Sequence, residues 1–127
     1  YLDSLSKYEI KKEFAKQLRR CVNIHGTTAI LDLRNEETIY VGNRFMIYAM
    51  FPDTNISIHV MWGREKQNTV FALGKSIVNH TSKVNIGKLM LDYGGGGHVA
   101  AGTCQVMNDR AESIRQELVE KIAATEA

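Results

Sequence analysis

Apolar residues recur at helical spacing near the start of the chain, among lysine and glutamate residues. The apolar positions in and just after residues 4–20 are Leu5, Tyr8, Phe14, Leu18 and Cys21. This spacing places apolar side chains along one side of a helix and leaves the charged residues facing solvent. The pattern predicts a helix. We expect residues 1–22 to form this lead-in helix and residues 23–127 to form the domain that follows it.

Strict alternation of apolar and other residues marks the clearest strand, Asn55 to Trp62. Every second residue of that segment is large and apolar, which predicts a strand with one face in a core. Gly63 to Asn68 is a polar turn, and Thr69 to Leu73 returns as a second strand, so we predict an antiparallel hairpin. Thr28 to Arg34 and Thr103 to Met107 have the composition of further strands.

Two apolar segments predict helices in the middle of the chain. Phe45 to Phe51 predicts a short buried helix that ends near Pro52, because proline disfavours helix in the residue before it. A buried strand is the alternative for this segment. Val84 to Tyr93 predicts a second helix, with Asn85 as a possible N-cap and with the glycines that follow as its end.

The last helix is predicted from its capping residues. Asp109 is a candidate N-cap, and Glu112 three residues later completes a capping-box pattern. Its apolar side is formed by Ile114, Leu118 and Ile122. Thr38 to Val41 predicts either a short strand or the approach to a helix, with Asn43 as a candidate N-cap. The order of elements predicts a single α/β (α+β) domain, a mixed sheet flanked by helices.

Length, charge and cysteine content exclude several classes of protein. The chain has 127 residues, 44% of them hydrophobic, which fits one domain with a real core. Neither a membrane-spanning segment nor a signal peptide is predicted, so we expect a cytoplasmic protein. The net charge of +2 is too small for a nonspecific nucleic-acid coat. Cys21 and Cys104 are expected to be small core residues in a reducing compartment.

Four consecutive glycines and a histidine, Gly94 to His98, are the most informative feature of the chain. Because glycine has no Cβ atom, the backbone N–H groups of Gly94, Gly95, Gly96 and Gly97 could turn toward one anion, and a helical turn after His98 could add further donors. The alternatives are a flexible linker and a tight packing turn between a helix and a strand. The apolar and small residues on both sides argue against a linker.

The candidates for side-chain chemistry are His98, Lys75 and Ser76. His98 could contact a phosphate, act as an acid or base, or fill a surface position; phosphate contact is favoured, because no catalytic partner is adjacent in sequence. Lys75 and Ser76 end a predicted strand, where the lysine could neutralise a second phosphate or be an exposed charge. His80 is expected to be a loop surface residue. Neither the histidines nor the aspartates show metal-ligand spacing, so we expect no metal site in this chain.

The string from Tyr93 to His98, followed by Ala101-Gly102, closely resembles the signature of the DHH-associated domain, the C-terminal domain of DHH-family phosphoesterases. The wider segment from Phe71 to Val106 is similar to the branch of this family that includes exopolyphosphatase-related and nano-RNase-like proteins. The resemblance implies that Gly94–Gly97 and His98 contact a phosphate or nucleotide, and that Lys75 and Ser76 help to hold the substrate.

The resemblance also implies what this chain lacks. In the family, an upstream domain carries the Asp-His-His motif and the residues that bind a divalent metal, expected to be manganese. No such motif occurs here, and the chain begins with Tyr1, so we expect a fragment that is inactive alone. The expected partners are the upstream catalytic domain and a phosphate-containing substrate, a nucleotide or a short single-stranded nucleic acid. The alternatives are a stand-alone nucleotide-binding regulatory module and a structural interaction domain.

Overall fold

The helices and strands follow from a computed structural model that describes residues 7–37, 39, 45–76 and 82–126. The helices are α1 (Lys7–Cys21), α2 (Phe45–Met50), α3 (Ile86–Leu91) and α4 (Ala111–Glu126). The strands are β1 (Val22–His25), β2 (Thr28–Asp32), β3 (Ile56–Trp62), β4 (Asn68–Lys75), β5 (Gly96–His98) and β6 (Ala101–Met107). Short 3₁₀ turns at Arg64–Lys66 and Asn108–Arg110 precede β4 and α4.

The six strands form one mixed sheet in the order β1-β2-β3-β4-β6-β5. β2 and β3 run parallel, and every other neighbouring pair is antiparallel. The predicted fold class is therefore confirmed, as is the hairpin of β3 and β4. The sequence analysis missed β1, which forms a hairpin with β2 across Gly26 and Thr27. Gly26 has a φ of 60°, which suits the first central position of a type II′ turn.

Apolar residues cover both faces of the sheet, and strand alternation decides which face each one joins. Ile56, Ile58 and Val60 belong to the core beneath α3 and α4, together with Phe71 and Leu73 of β4. A second core lies on the other face and joins α1 and α2 to β2; it contains Phe14, Leu18, Ala29, Leu31, Leu33 and Ile47. The lead-in helix therefore packs directly on the sheet.

The start of α4 differs from the sequence prediction. Asp109 lies within the 3₁₀ turn, whose N-cap residue Met107 makes no side-chain cap hydrogen bond. The predicted capping box is wrong because the Glu112 carboxylate has a tertiary partner instead. Arg34 Nη2 donates to Glu112 Oε1 at 2.7 Å. The side chain of Asn108 also has distant partners, accepting from Thr69 Oγ1 at 2.9 Å and donating to the Lys66 carbonyl at 2.8 Å. Tertiary contacts fix this helix start.

Asp32 connects β2 to this charged contact. Its carboxylate accepts from Arg34 Nε at 3.0 Å and from Nη2 at 2.7 Å, and Arg115 Nη1 lies 3.6 Å away. Burial raises the pKa of Asp32, but the hydrogen bonds and charge of Arg34, with the charge of Arg115, outweigh it and lower the pKa below the ordinary 3.8. The ionised form of Asp32 therefore stabilises the fold.

Asp32→Asn is expected to lower the free energy of unfolding by about 1 kcal/mol, the upper end for ion pairs that solvent screens. Since the pKa of Asp32 is lower in the folded state, this stabilisation is present above the unfolded-state pKa and is lost as the pH falls through the folded one. Urea titrations at neutral and acidic pH measure the difference. Glu112→Gln, at a more exposed side chain, should lower the free energy of unfolding by less. If acidification lowered the free energy of unfolding of the wild type and of Asp32→Asn by equal amounts, Asp32 would not be the group responsible.

Some predicted features lie outside the described residues. They include Thr38, Tyr40 and Val41 of the proposed strand, the proposed cap Asn43, and His80. Within the described ranges, none of the helices is both long enough and apolar enough to cross a membrane.

Candidate functional site

The first two glycines of the run end helix α3. Gly94 has a φ of 78°, and its N–H donates to the Leu91 carbonyl at 3.2 Å. The N–H of Gly95 donates to the Met90 carbonyl at 2.9 Å. This pair of bonds is the Schellman arrangement, in which a left-handed residue closes a helix. The run therefore ends the helix as predicted, but Gly94 and Gly95 do not form the amide cradle that the sequence suggested.

Close contacts exclude a side chain at Gly95, just before strand β5, and at Gly97 within that strand. Gly97 has a φ of 153°, and a Cβ atom there would lie 2.3 Å from the Ala101 carbonyl oxygen. A Cβ atom on Gly95 would lie 2.0 Å from the Thr103 carbonyl oxygen. Helix α3 approaches β5 through Gly87, where a Cβ atom would lie 2.8 Å from the Gly97 carbonyl oxygen. Packing of helix, strand and hairpin thus requires glycine at these positions.

Gly96 differs from the other glycines of the run. A Cβ atom there would meet no atom of the described residues within 4 Å, and its φ lies outside the left-handed region. Neither strain nor packing within the described part of the chain requires glycine at Gly96. A glycine with open space above it permits a ligand to approach the backbone.

His98 ends β5 and is exposed. The helical turn that could have followed it does not form, because Val99 and Ala100 are the two-residue turn of a hairpin that joins β5 to β6. The backbone N–H of Ala100 donates to His98 Nδ1 at 3.3 Å. Small residues and strand pairing favour a hairpin here, because β6 offers the glycine-rich strand a partner next in sequence.

His98 and Gly96 lie two residues apart in β5 and therefore face the same side of the sheet. His98 lies opposite Ala101, and Gly96 lies opposite Thr103. Cross-strand partners share a face, and Gln105 follows on the same face of β6 by alternation. These five residues form a surface, the open face, whose members are exposed or half-buried. Thr103 and Gln105 bring polar side chains to it that the sequence analysis did not single out.

Lys75 contacts the turn that follows His98 through its backbone and not through its side chain. The N–H of Lys75 donates to the Ala100 carbonyl at 2.9 Å. Lys75 lies opposite Ile56, which belongs to the core beneath α3 and α4. Alternation therefore places the Lys75 side chain on the sheet face opposite that of His98. A ligand that contacts both side chains has to span the end of the sheet.

Ser76 belongs to a group of buried polar residues at the same end of the sheet. Its N–H donates to the Asn55 carbonyl at 2.7 Å, and the residue is 4% exposed. Tyr48 of α2 donates to the Gly74 carbonyl at 2.9 Å and lies 3.0 Å from Ser57 Oγ. Thr28 and Thr54 are also buried there. These hydrogen bonds fix the strand ends that carry Lys75 and Ser76.

Helix α4 holds the residue that precedes the glycine run. Tyr93 Oη donates to Glu117 Oε1 at 3.1 Å, and Lys121 Nζ lies 4.6 Å from the centre of the tyrosine ring. Burial raises the pKa of Tyr93, which keeps its hydroxyl a donor. These side chains line a cavity of about 380 Å³ between β6 and α4, which neither His98 nor Lys75 lines. We assign the contacts of Tyr93 to support of the glycine run.

The family resemblance implies a divalent metal in another domain of the complete enzyme, and the described residues of this chain do not fit a metal site. Among them, no three histidine, cysteine, aspartate or glutamate side chains come together in a way that could hold a metal ion. Both cysteines are free thiols. Cys104 lies in the core, as predicted, and burial raises its pKa to about 11, which suppresses thiolate chemistry. Cys21 is half-buried beside the core under α1.

Comparison with known proteins identifies the family. No protein-family model and no curated protein matches the chain. A solved structure, the pGpG-specific phosphodiesterase PggH from Vibrio cholerae, is 52% identical with a TM-score of 0.91; the match covers 93% of this chain and 40% of that chain. An exopolyphosphatase-related protein from Bacteroides fragilis is 15% identical with a TM-score of 0.66, over 94% of this chain and 36% of that one.

The similarity to PggH confirms the family that the glycine–histidine sequence indicated. The chain belongs to the DHH-associated domains of DHH-family phosphoesterases. The Bacteroides protein, at 15% identity, supports the fold alone. The chain spans 40% of the length of PggH and 36% of the length of the Bacteroides protein.

Proposed function

We propose that this chain is the substrate-binding domain of a DHH-family phosphodiesterase, and that its ligand is a short nucleotide with phosphodiester or phosphate groups. The observation that carries the proposal is the 52% identity to PggH over 93% of the chain. PggH is described as specific for pGpG, and we propose pGpG as the first ligand to test. A short single-stranded nucleic acid is a second candidate ligand of the same chemistry.

The open face provides the proposed phosphate contact. His98 is exposed there and carries a ring nitrogen that can donate to a phosphate oxygen. Gly96 leaves space for the phosphate to reach the backbone, whereas Gly94, Gly95 and Gly97 shape the loop. Lys75 and Ser76, at the end of β4, would hold a second phosphate or the far end of the ligand.

We assign the metal and the bond-breaking step to another part of a longer protein. The chain spans 40% of PggH, and its described residues offer no metal site. We propose that the complete enzyme is cytoplasmic and holds manganese in an upstream domain that closes on the open face. This chain alone should then bind ligand without hydrolysing it, with or without added Mn²⁺.

Calorimetric titration of the 127-residue chain with pGpG tests this proposal. We expect weak binding, roughly millimolar to high-micromolar, because a few charge-assisted hydrogen bonds only modestly exceed the cost of association. Tight binding by the chain alone would instead support a regulatory nucleotide-binding module. Hydrolysis of pGpG by a clean preparation would contradict the assignment of catalysis to another domain, and absence of any binding would contradict the proposed ligand.

Gly96→Val is expected to weaken pGpG binding at least about 10-fold while the melting temperature stays unchanged or rises slightly. The valine side chain would fill the open space, and valine favours strand conformation. Calorimetry and thermal unfolding measure the two effects on the same samples. Ala124→Val, at an exposed position of α4, is the control for added bulk and should leave the affinity unchanged. Unchanged affinity in Gly96→Val would remove Gly96 from the site.

A further inference from the structure

The turn between β5 and β6 is hydrogen-bonded to the His98 ring, to the end of β4 and to the start of α3. The Ala100 N–H donates to His98 Nδ1 at 3.3 Å, and the Ala100 carbonyl accepts from the Lys75 N–H at 2.9 Å. The Val99 carbonyl accepts from the Ile86 N–H, at the start of α3, at 3.1 Å. Ala100 therefore joins the His98 ring to the end of β4 by its own two polar groups.

The hydrogen bond from Ala100 determines where the proton lies on a neutral His98 ring. A neutral imidazole has one N–H donor and one nitrogen lone pair. Because Nδ1 accepts the Ala100 N–H, the lone pair is on Nδ1 and the proton is on Nε2. Among the described residues, Nε2 has no hydrogen-bond partner, and the side chain is exposed.

A donor at Nε2 matches a phosphate ligand. Phosphate oxygens of a nucleotide diester accept hydrogen bonds, so a ring with its proton on Nε2 can bind them while neutral. The opposite tautomer would present the Nε2 lone pair to the anion, and the two would repel. The tautomer therefore decides whether a neutral His98 helps or hinders binding.

We propose that Ala100 is the positioning residue of this site: its N–H holds the His98 ring as an Nε2–H donor, and its carbonyl fixes that ring relative to Lys75. The functional part of this inference rests on the proposed phosphate ligand, whereas the position of the proton does not. Since the Val99 carbonyl, which shares a peptide unit with the Ala100 N–H, accepts from the Ile86 N–H at 3.1 Å, this peptide is polarised and the Ala100 N–H becomes a stronger donor.

Nitrogen-15 NMR of the free protein at alkaline pH tests the position of the proton. We expect His98 to show a protonated Nε2 and a hydrogen-bonded, unprotonated Nδ1, with its signals assigned by their loss in His98→Gln. His25 is an exposed histidine of the same chain and gives the reference tautomer ratio. A larger Nε2–H fraction for His98 than for His25 is the expected result. An equal ratio, or a proton on Nδ1, would overturn the inference.

Replacing Ala100 with lactic acid tests the role of the N–H itself, because the backbone ester removes that donor and otherwise only weakens the Val99 carbonyl as the acceptor for the Ile86 N–H. We expect the His98 tautomer ratio to shift to that of His25 and the affinity for pGpG to fall severalfold. Ala100→Gly keeps the N–H, so the His98 tautomer ratio should stay that of the wild type. An ester variant that folds and keeps the wild-type tautomer ratio would exclude Ala100 as the positioning residue; if it fails to fold, the tautomer of the wild type still decides.

The two proposals fail in different ways. If the proton is on Nε2 and pGpG does not bind, the proposed ligand is wrong and the positioning by Ala100 stands. If pGpG binds through His98 and the tautomer ratio equals that of His25, the ligand stands and the role of Ala100 is excluded.

Discussion

Gly97→Ala is expected to lower the free energy of unfolding by about 3 kcal/mol, which is roughly a 10 °C drop in melting temperature for a chain of this length. The added methyl group would lie 2.3 Å from the Ala101 carbonyl oxygen and 2.5 Å from Gly102 Cα, and neither backbone atom can move without opening the hairpin. The φ of 153° adds strain for any residue with a Cβ atom. Denaturant titration followed by circular dichroism measures the loss.

Gly96→Ala is the matched control for this prediction. It adds the same methyl group one residue earlier, at a position where no described atom lies within 4 Å. We expect the stability of Gly96→Ala to equal that of the wild type or to exceed it slightly, because alanine reduces the entropy of the unfolded chain. Similar stabilities of Gly96→Ala and Gly97→Ala would show that the hairpin adapts, and the structural role of Gly97 would then be wrong.

His98→Ala is expected to weaken pGpG binding roughly 10- to 100-fold, which corresponds to the loss of one hydrogen bond to a charged group. Because His98 is exposed and its described hydrogen bond is to the adjacent turn, the melting temperature should change little. Calorimetric titration and thermal unfolding of the same preparation separate the two effects.

Two variants set the scale for His98. His98→Gln keeps an N–H donor on a side chain of similar reach and should retain part of the affinity. Lys75→Ala removes a charge from the opposite sheet face and should weaken binding less than His98→Ala does, because solvent partly screens the charge of this half-buried residue. Unchanged affinity in His98→Ala, with intact folding, would support the structural interpretation of the glycine run.

The sequence predicted the elements whose periodicity is set by burial. β3 alternates because every second residue enters a core, and α1 and α4 show an apolar side because each lies on the sheet. β1 was missed because only four residues form it and three of them are exposed, so burial imposes little pattern on them. The capping box at Asp109 failed for another reason: Glu112 and Asn108 bond to partners distant in sequence, which local rules do not contain.

The glycine run shows how far sequence can define a site. The four consecutive glycines have three different roles: closing a helix, permitting close packing, and leaving open space. Only the positions of neighbouring backbone atoms separate these roles. Likewise, nothing in the sequence distinguishes Tyr48, Ser57 and Asn55 from ordinary core or strand residues. The hydrogen bonds that bring them close to Ser76 form only when β3 and β4 pair.

Helix α3 has six residues, too few to persist in water without support. Its first amide is tied to Val99 and its Met90 carbonyl to Gly95, so both of its ends depend on the segment that carries His98. Helix and hairpin should therefore open and close as one cooperative unit on the rest of the domain. A ligand that binds the His98 imidazole would then slow the local opening of helix α3 without contacting that helix.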